Sequence, residues 1–323
     1  MASTLPPAPR AGADDAPAVS VIIPTVDREK LLLRAIRSVV AQDYLGPIEI
    51  VVVRDGSPSA DDTAALEQTM AAELPASVSL RQVPNIRSKG LPGARNSGIQ
   101  AASHTLVAFC DDDDSWLADK LERQVAALND SGALTSVTGV TIVYADTTAD
   151  RVPTQEQMEL RSLVRHRVMA AHPSTVLVRR AALLGPIGLV DEQIPGSYGE
   201  DFDWIIRAVQ AGTVAVVQAP LVRVMWGQSL FSSKWPTIVE AIDYVLAKHP
   251  IFHEDRRALA RLYGRRSFAL AAMGRRVDAL RGAAKTVALS PREGRAVLAT
   301  AVALRVVSAE RLMDLAHRRG HGI

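Results

Sequence analysis

The chain has 323 residues, of which 48% are hydrophobic and 22% are charged, as in an ordinary folded protein. This composition excludes a mainly disordered chain, and the length suffices for about two domains. Aromatic residues make up only 4%, which argues against a stacking surface for single-stranded nucleic acid. The single cysteine, Cys110, excludes internal disulfides and multi-cysteine metal sites, and we expect it to be buried and inert.

Charge is distributed unevenly along the chain. The net charge is +2, but the segment from residue 237 onward holds 16 Lys and Arg residues against 8 Asp and Glu, whereas the rest holds 21 and 27. A basic segment of this kind is either a solvated helical face or a surface for anionic lipid or an acidic partner. Because few aromatic residues accompany this charge, we expect no nucleic-acid partner.

The first 18 residues carry proline, alanine and aspartate but no apolar core, so we predict a flexible tail over 1–18 rather than a signal peptide. No run of 18 or more apolar residues occurs, so no membrane span is predicted. We expect a cytoplasmic protein, and peripheral contact with the inner face of the membrane stays open.

The first 110 residues alternate short apolar runs with helical patterns. Strands are predicted at 19–24, 48–53, 78–83 and 105–110, and helices at 28–42, 61–73 and 94–102. This alternation predicts an α/β fold with a parallel sheet covered on both faces. Because ligands bind beyond the carboxyl ends of such strands, we expect three polar clusters to converge there. The clusters are Thr25–Arg28, Arg54–Ser57 and Asp111–Asp114.

Helical and strand patterns continue beyond this region. We predict a helix from residue 117 to about 129, strands at 134–145, 174–179 and 213–217, and helices at 180–184 and 201–210. The segment 151–170 has no clear pattern. From residue 237 the pattern is helical, and we expect Gly264, Gly274, Gly282 and Pro291 to divide it into four or five helices.

Four consecutive aspartates, Asp111–Asp114, directly follow a predicted apolar strand. Carboxylates this close raise one another's pKa unless a cation neutralises them. Mg²⁺ and Mn²⁺ favour carboxylate oxygens and bind substrate phosphates with their remaining positions. Capping of the following helix explains one or two of the aspartates but not four, so we predict a metal–phosphate site.

With this acidic cluster, the chain resembles the family 2 glycosyltransferases, inverting enzymes with the GT-A fold. The segments that carry the resemblance follow the family's order and spacing: VSVIIPTVDR (19–28), IEIVVVRDGS (48–57), GLPGARNSGIQAA (90–102), FCDDDDSWLADKLERQ (109–124) and GEDFDWIIRAVQAG (199–212). The resemblance implies a GT-A catalytic domain over 19–235, with a Rossmann-like, mainly parallel sheet, followed by a basic α-helical module over 236–323. It also implies transfer of a sugar from a nucleotide-diphospho-sugar to an acceptor hydroxyl, with Mn²⁺ or Mg²⁺ as cofactor.

The resemblance implies donor contacts at the strand ends and on one helix. Asp55 matches the aspartate that contacts the base, and Arg95 is expected to help hold the leaving diphosphate. Arg54 stands where the family commonly has a second acid. The identity of the nucleotide base therefore stays open, with UDP favoured over GDP and dTDP. The other matching positions are Pro24, Thr25 and Arg28 in the opening motif and Asn96 beside Arg95.

Within the acidic cluster, the resemblance gives each aspartate a role. Asp111 faces the ribose and contributes to the metal site, Asp113 holds the metal, and Asp114 is a second metal contact. Asp112, the freely variable middle position, is counted with the donor-binding residues.

A second acidic pair, Glu200-Asp201, begins the predicted helix 201–210. Inversion requires a base that deprotonates the acceptor hydroxyl as it attacks the anomeric carbon. The resemblance assigns this role to Asp201 and a supporting or acceptor-positioning role to Glu200. Capping of the helix is the alternative interpretation, and which acid is the base stays open.

The acceptor side is less specific. His172 resembles part of a segment lining the acceptor, although a lone histidine is more often structural. Trp226 stands in a segment where many relatives carry a histidine, and stacking on a sugar, a core role and a lid role all stay open. The acceptor itself is a polysaccharide, a lipid-linked glycan or a small molecule. The C-terminal helices either pack on the catalytic domain, form a homodimer or lie on an anionic membrane.

Two other functions compete with the transferase. A sugar-phosphate nucleotidyltransferase has a Gly-rich loop with Arg and Lys after its first strand, whereas this chain has PTVDR there, without glycine. The alternative from a different class is a non-catalytic scaffold that binds a nucleotide-sugar. The chain retains all four acids of these motifs, which argues against a loss of catalytic activity: Asp111, Asp113, Glu200 and Asp201.

Overall fold

The computed structural model describes residues 16–56, 60–144, 147–166, 168, 172–225 and 234–318. The predicted tail 1–18 therefore lies almost entirely outside the described residues, as does Trp226. Side chains at 60–63, 314 and 316–318 are likewise left undescribed.

The first third of the chain forms the alternation that the apolar runs predict. Its elements are β1 (Val19–Thr25), α1 (Glu29–Val40), β2 (Ile48–Arg54), α2 (Ala60–Ala71), β3 (Val78–Pro84), α3 (Leu91–Ala101) and β4 (Leu106–Phe109). β1 pairs in parallel with both β2 and β4, and β2 pairs in parallel with β3. Every residue of β1, β2 and β4 is buried, as expected for strands covered on both faces. The predicted parallel sheet is confirmed.

The next third completes one sheet of mixed direction, which has nine strands among the described residues. Its elements are β5 (Ser115–Trp116), α4 (Lys120–Ser131), β6 (Thr135–Tyr144), β7 (Thr147–Arg151), α5 (Leu160–Arg165), β8 (Leu177–Arg179), α6 (Arg180–Leu183), α7 (Glu200–Ala211) and β9 (Val214–Met225). The strand order is β3-β2-β1-β4-β8-β6-β9-β5, and β7 pairs with β6. β8 runs antiparallel to both neighbours. The acidic loop therefore leaves β4 near the middle of the sheet.

Two strand predictions differ from the structure. β9 continues to Met225 instead of ending at 217, because irregular pairing around Gly139 places Pro220 where the register shifts. The strand predicted at 174–179 begins only at Leu177, because Pro173–Thr175 form a single 3₁₀ turn. This turn bears on the functional site.

The C-terminal part contains six described helices rather than four or five. They are α8 (Trp235–Lys248), α9 (Ile251–Glu254), α10 (Arg256–Ala272), α11 (Arg276–Leu289), α12 (Arg295–Ala303) and α13 (Ala309–Arg318). Gly264 and Gly282 lie inside helices instead of ending them. A Cβ at Gly282 would lie 2.2 Å from Ser267 Oγ, and one at Gly264 would lie 3.0 Å from the Arg295 Cβ. These glycines therefore permit close helix packing, whereas Gly274 and Pro291 do separate helices.

The hydrophobic core continues across the predicted domain boundary. One cluster of buried residues extends from the sheet through α7 and into the helices from α8 onward. Across this boundary, the ring centroids of Phe202 and Phe252 lie 6.0 Å apart. The division into 19–235 and 236–323 stays a prediction, but the two parts share one core. No helix in the described ranges is long and apolar enough to cross a bilayer.

Candidate active site

The acidic loop follows β4 at the carboxyl edge of the sheet, beside the end of β1. Asp112 is fully buried there and accepts hydrogen bonds from Thr25 Oγ1 at 2.6 Å and from Arg28 Nε at 3.0 Å. Burial raises the pKa of Asp112 to about 6, against the opposing effects of Thr25 and Arg28. Asp112, predicted as a freely variable position among the donor-binding residues, is thus buried and hydrogen-bonded within the protein. It anchors Thr25 and Arg28, which the sequence predicts as donor contacts, and burial is the property that the sequence pattern did not reveal.

Asp113 is the outermost of the four aspartates, with 38% of its side chain exposed. Arg28 Nη1 donates to its carboxylate at 3.0 Å, and Arg34 donates to its backbone carbonyl. Asp113 thus pairs with Arg28, and among the described residues it does not belong to the group of clustered candidate ligand atoms described next.

Asp111 and Asp114 come together with His172. The candidate ligand atoms of these three residues all lie within 4.8 Å of one another. His172 Nδ1 is 3.4 Å from Asp114 Oδ2, and His172 Nε2 is 3.9 Å from Asp111 Oδ2. Ser174 Oγ donates to Asp114 at 2.5 Å and accepts from the Asp111 backbone N–H at 2.9 Å.

Burial raises the pKa of Asp114 to about 7, and the nearby Asp111 adds to this against the opposing effect of His172. A divalent cation would favour the ionised form of this carboxylate. Two carboxylates and an imidazole at this spacing therefore fit a divalent metal ion. His172, predicted for the acceptor side, lies against the acidic cluster instead. Sixty residues separate it from the cluster, and only the 3₁₀ turn at Pro173–Thr175 brings it there, so no spacing motif signals it.

Arg95 joins the acidic loop to the second acidic pair. Its guanidinium donates from Nη2 to Asp111 Oδ1 at 2.8 Å and from Nη1 to Glu200 Oε1 at 2.9 Å. Arg95 is only 2% exposed, so this bridge lies inside the protein. Burial raises the pKa of Asp111, but Arg95 and His172 outweigh it, and the net shift is downward. Arg95, which the sequence predicts to hold the leaving diphosphate, is thus hydrogen-bonded to two carboxylates in this structure.

Glu200 and Asp201 both lie in the first turn of α7, and Gly199 occupies the N-cap position. Neither acid is the N-cap residue, but the Asp201 carboxylate accepts a hydrogen bond from the Phe202 backbone N–H at 2.8 Å, so Asp201 does satisfy a backbone donor at the start of the helix. Burial raises the pKa of Glu200 to about 7, opposed by Arg95 and reinforced by Asp201. Asp201 is half-buried, whereas Glu200 is buried. Both acids line a small cavity whose other walls are Arg95, Phe109, Pro173, Val176, Val190 and Trp204.

Asp55, which is predicted to contact the nucleotide base, holds the loop that contains Asn85 and Gly90. Its carboxylate accepts from Asn85 Nδ2 and from the Gly90 backbone N–H, each at 2.7 Å. Arg54 is buried on β2, where it pairs with Glu29 and donates to Gln82 at 3.1 Å. The departure from the family pattern at residue 54 is therefore accommodated within the sheet.

Two more residues that are predicted to bind the nucleotide-sugar donor make contacts within the protein. Asn96 is 1% exposed, donates to Val190 O at 2.8 Å and Glu192 Oε1 at 2.7 Å, and accepts from Val190 N at 2.9 Å. Asn96 thus fastens the segment around Val190 in this structure, and its contact with a donor stays a prediction. Pro24 is buried in β1 opposite Val53.

Comparison with known families agrees with this arrangement. The family description "Glycosyl transferase family 2" matches residues 20–184, about half of the chain. The chain belongs to glycosyl transferase family 2.

The curated relatives match over part of their length. The chain is 33% identical over 166 residues to the succinoglycan biosynthesis protein ExoO of Rhizobium meliloti, a match covering 51% of this chain and 45% of that protein. It is also 33% identical over 110 residues to WfgD of Escherichia coli, a UDP-Glc:alpha-D-GlcNAc-diphosphoundecaprenol beta-1,3-glucosyltransferase, covering 34% and 40% respectively. The chain therefore spans less than half the length of these relatives.

Solved structures extend the likeness over nearly the whole chain. S. aureus TarS 1–349 in complex with UDP-GlcNAc has a TM-score of 0.61 and 19% identity, covering 94% of this chain and 92% of that one. The mannosyltransferase PcManGT from Pyrobaculum calidifontis, in complex with GDP-Man and Mn²⁺, has a TM-score of 0.57 and 19% identity, covering 93% and 84%. At these identities the likeness shows the fold, and the predicted GT-A fold is confirmed.

Proposed function

We propose that this family 2 member is a metal-dependent inverting glycosyltransferase. It moves a sugar from a nucleotide-diphospho-sugar to an acceptor hydroxyl during glycan biosynthesis. The observation that carries the proposal is the Arg95 bridge, because it brings the acids of two distant family motifs together at one edge of the sheet. A donor site at Asp111 and a base on α7 are what a single displacement requires.

The donor is a nucleotide-diphospho-sugar, with UDP favoured. In support, WfgD is named for UDP-Glc, TarS was solved with UDP-GlcNAc, and PcManGT was solved with GDP-Man. Arg54 is buried within the sheet, whereas Asp55, which the resemblance assigns to the nucleotide base, is half-buried and hydrogen-bonded to the half-buried Asn85.

Asp111, Asp114 and His172 would hold Mn²⁺ or Mg²⁺. When bound, the ion neutralises negative charge on the leaving nucleoside diphosphate. Asp113 and Arg28 form the outer rim of this cluster. The cation would also favour the ionised form of Asp114, whose carboxylate is strongly disfavoured by its burial.

Asp201 acts as the base. Glu200 is buried against Arg95, whereas Asp201 is half-buried and lines the adjoining cavity, so Asp201 is the acid more accessible to an acceptor hydroxyl. Asp201 accepts the proton of the acceptor hydroxyl while the hydroxyl oxygen attacks the anomeric carbon. The attack comes from the face opposite the nucleoside diphosphate, whose bond to that carbon breaks. Glu200 and Arg95 position the first turn of α7.

The test is turnover of a panel of UDP-, GDP- and dTDP-sugars, with wild type compared to Asp201→Asn. Removing a general base should lower the rate by about 10²–10⁴-fold, while calorimetry shows unchanged nucleotide affinity. Asp130→Asn, at an exposed position of α4, is the matched control and should leave the rate unchanged.

Full turnover by Asp201→Asn would overturn the assignment of the base. Nucleotide binding without turnover of any donor by the wild type would instead support the non-catalytic scaffold.

A further inference from the structure

The end of α12 has an unusual backbone. Val306 N donates to Ala301 O and Arg305 N donates to Val302 O, each at 2.9 Å, which is the hydrogen-bond pattern of a Schellman motif. This motif places one residue in the left-handed region, usually glycine. Here that residue is Arg305, with φ at +60°. The chain therefore holds a long cationic side chain at a position where glycine is easier to accommodate.

The residues around Arg305 are exposed and aliphatic. Leu304 is 61% exposed and Val306 is 78% exposed. Val297, seven residues before Leu304 and on the same face of α12, is 69% exposed. In a Schellman motif the residue at the Val306 position frequently packs back onto the helix, but here it remains exposed. We call Val297, Leu304, Arg305 and Val306 the α12 tip.

Single exposed aliphatic residues are common on protein surfaces and need no explanation. The α12 tip differs because its three exposed aliphatic residues lie within ten residues of the chain, together with an exposed arginine. The surrounding segment also carries a net positive charge, with 16 basic and 8 acidic residues from position 237 onward, although the acidic Glu310 is exposed near the tip. Arg292 and Arg311 are exposed nearby in the chain.

Protruding aliphatic side chains beside arginines match the chemistry of an anionic bilayer. Aliphatic groups enter the boundary between headgroups and acyl chains, and arginines pair with lipid phosphates. We propose that the α12 tip docks this protein onto the surface of an anionic membrane. This inference goes beyond the transferase proposal and does not depend on it, since docking requires neither donor nor acceptor.

The experiment is sedimentation with vesicles of phosphatidylglycerol and phosphatidylcholine, without nucleotide. Wild type should bind these vesicles at low salt, bind weakly to pure phosphatidylcholine, and dissociate as salt is raised. Leu304→Ser/Val306→Ser should lower the partition coefficient at least roughly tenfold, because each side chain loses apolar area that lipid would cover. Arg305→Gly should lower it about fivefold, the loss of one arginine near the surface.

The controls separate docking from folding defects. Leu184→Ser removes an equally exposed leucine, 57% exposed, from the end of α6, and should bind like wild type. Arg305→Gly should be at least as stable as wild type, since glycine adopts the left-handed region without strain, so its weaker binding cannot be attributed to unfolding.

Several outcomes would overturn the proposal. These are no binding to anionic vesicles at low salt, equal binding to zwitterionic vesicles, and an equal loss of binding in Leu184→Ser. A concentration-dependent dimer that Leu304→Ser/Val306→Ser disrupts, without vesicle binding, would assign the α12 tip to a contact between copies of this chain.

Discussion

At the scale of single residues, burial decides which polar groups can act. The sequence predicted that Asp111 and Asp114 follow a strand and that Glu200 and Asp201 begin a helix, because strand ends and helix starts follow from hydrophobic patterns. Their catalytic and metal-binding roles stay predictions. The sequence could not distinguish Asn96, which is fully hydrogen-bonded inside the protein, from a polar residue facing a ligand. Residue type and spacing are the same in both cases, and only packing separates them.

Arg95 is a buried charge that two acids share. Replacing it with methionine leaves Asp111 and Glu200 without their shared partner, so Arg95→Met should lower the free energy of unfolding by about 3–5 kcal/mol. Adding Glu200→Gln should recover part of this loss, because the amide carries no unpaired charge. Urea denaturation of both variants measures the difference. Equal stability of wild type and Arg95→Met would show that the bridge contributes nothing.

Lys120 offers a prediction about pH. Its ammonium group is fully buried, lies 3.7 Å from the centroid of the Trp116 ring, and lacks a hydrogen-bond partner among the described residues. Burial lowers its pKa to about 7 from an ordinary value of 10.5. Between these values the unfolded chain binds more protons than the folded one, so this group makes stability rise as pH increases from 7 towards 10.

Lys120→Met should therefore flatten the pH dependence of stability over that range and should raise stability at pH 7. Denaturant unfolding at pH 7 and 9.5, for wild type and variant, measures this. If the free energy of unfolding changed with pH equally in the two proteins, this would contradict the claim that burial destabilises the charged form of Lys120.

At the scale of elements, the long strands and helices were predictable and the short connections were not. The four parallel strands appear within a residue or two of their predicted bounds, because three are mainly apolar runs and the third along the chain, 78–83, alternates apolar and polar residues. The 3₁₀ turn at Pro173–Thr175 has no comparable pattern, yet it carries Ser174 to the acidic cluster and places His172 beside it. Sequence reasoning therefore predicted a metal site at the acidic cluster, but it assigned His172 to the acceptor side and not to the candidate ligands.

The start of α3 is a second element that depends on local sterics. A Cβ at Gly93 would lie 1.8 Å from the Ser88 carbonyl oxygen, so the helix cannot keep its place against the 85–90 loop if any side chain is present. Gly93→Ala should destabilise the protein by about 1–3 kcal/mol, although alanine favours helices, and should weaken nucleotide binding by moving Arg95.

Gly294→Ala is the control, because a Cβ there meets nothing within 4 Å. Its stability should stay within about 1 kcal/mol of wild type. Thermal unfolding of the two variants provides the comparison, and equal melting temperatures would contradict the steric argument.

At the scale of the whole molecule, the C-terminal helices are fastened to the helix that carries the proposed base. Asp203 on α7 accepts from Lys248 Nζ at 2.7 Å and is paired with His249 Nε2 at 2.7 Å, both at the end of α8. Its pKa is lowered because these partners and Arg207 outweigh burial. The sequence predicted a separate basic module, but it could not show that the module shares a core with α7. That contact depends on tertiary packing, which leaves no periodic signal.

The most direct test of the donor site is calorimetric titration with UDP, GDP and dTDP, each with Mn²⁺ or with EDTA. One nucleoside diphosphate should bind wild type only when metal is present, and Asp114→Asn should weaken that binding at least roughly tenfold, as expected for a lost metal ligand. Asp130→Asn should bind like wild type. A folded wild-type protein that binds no nucleoside diphosphate, or binds one equally well in EDTA and in Asp114→Asn, would contradict a metal-dependent donor site at the acidic cluster.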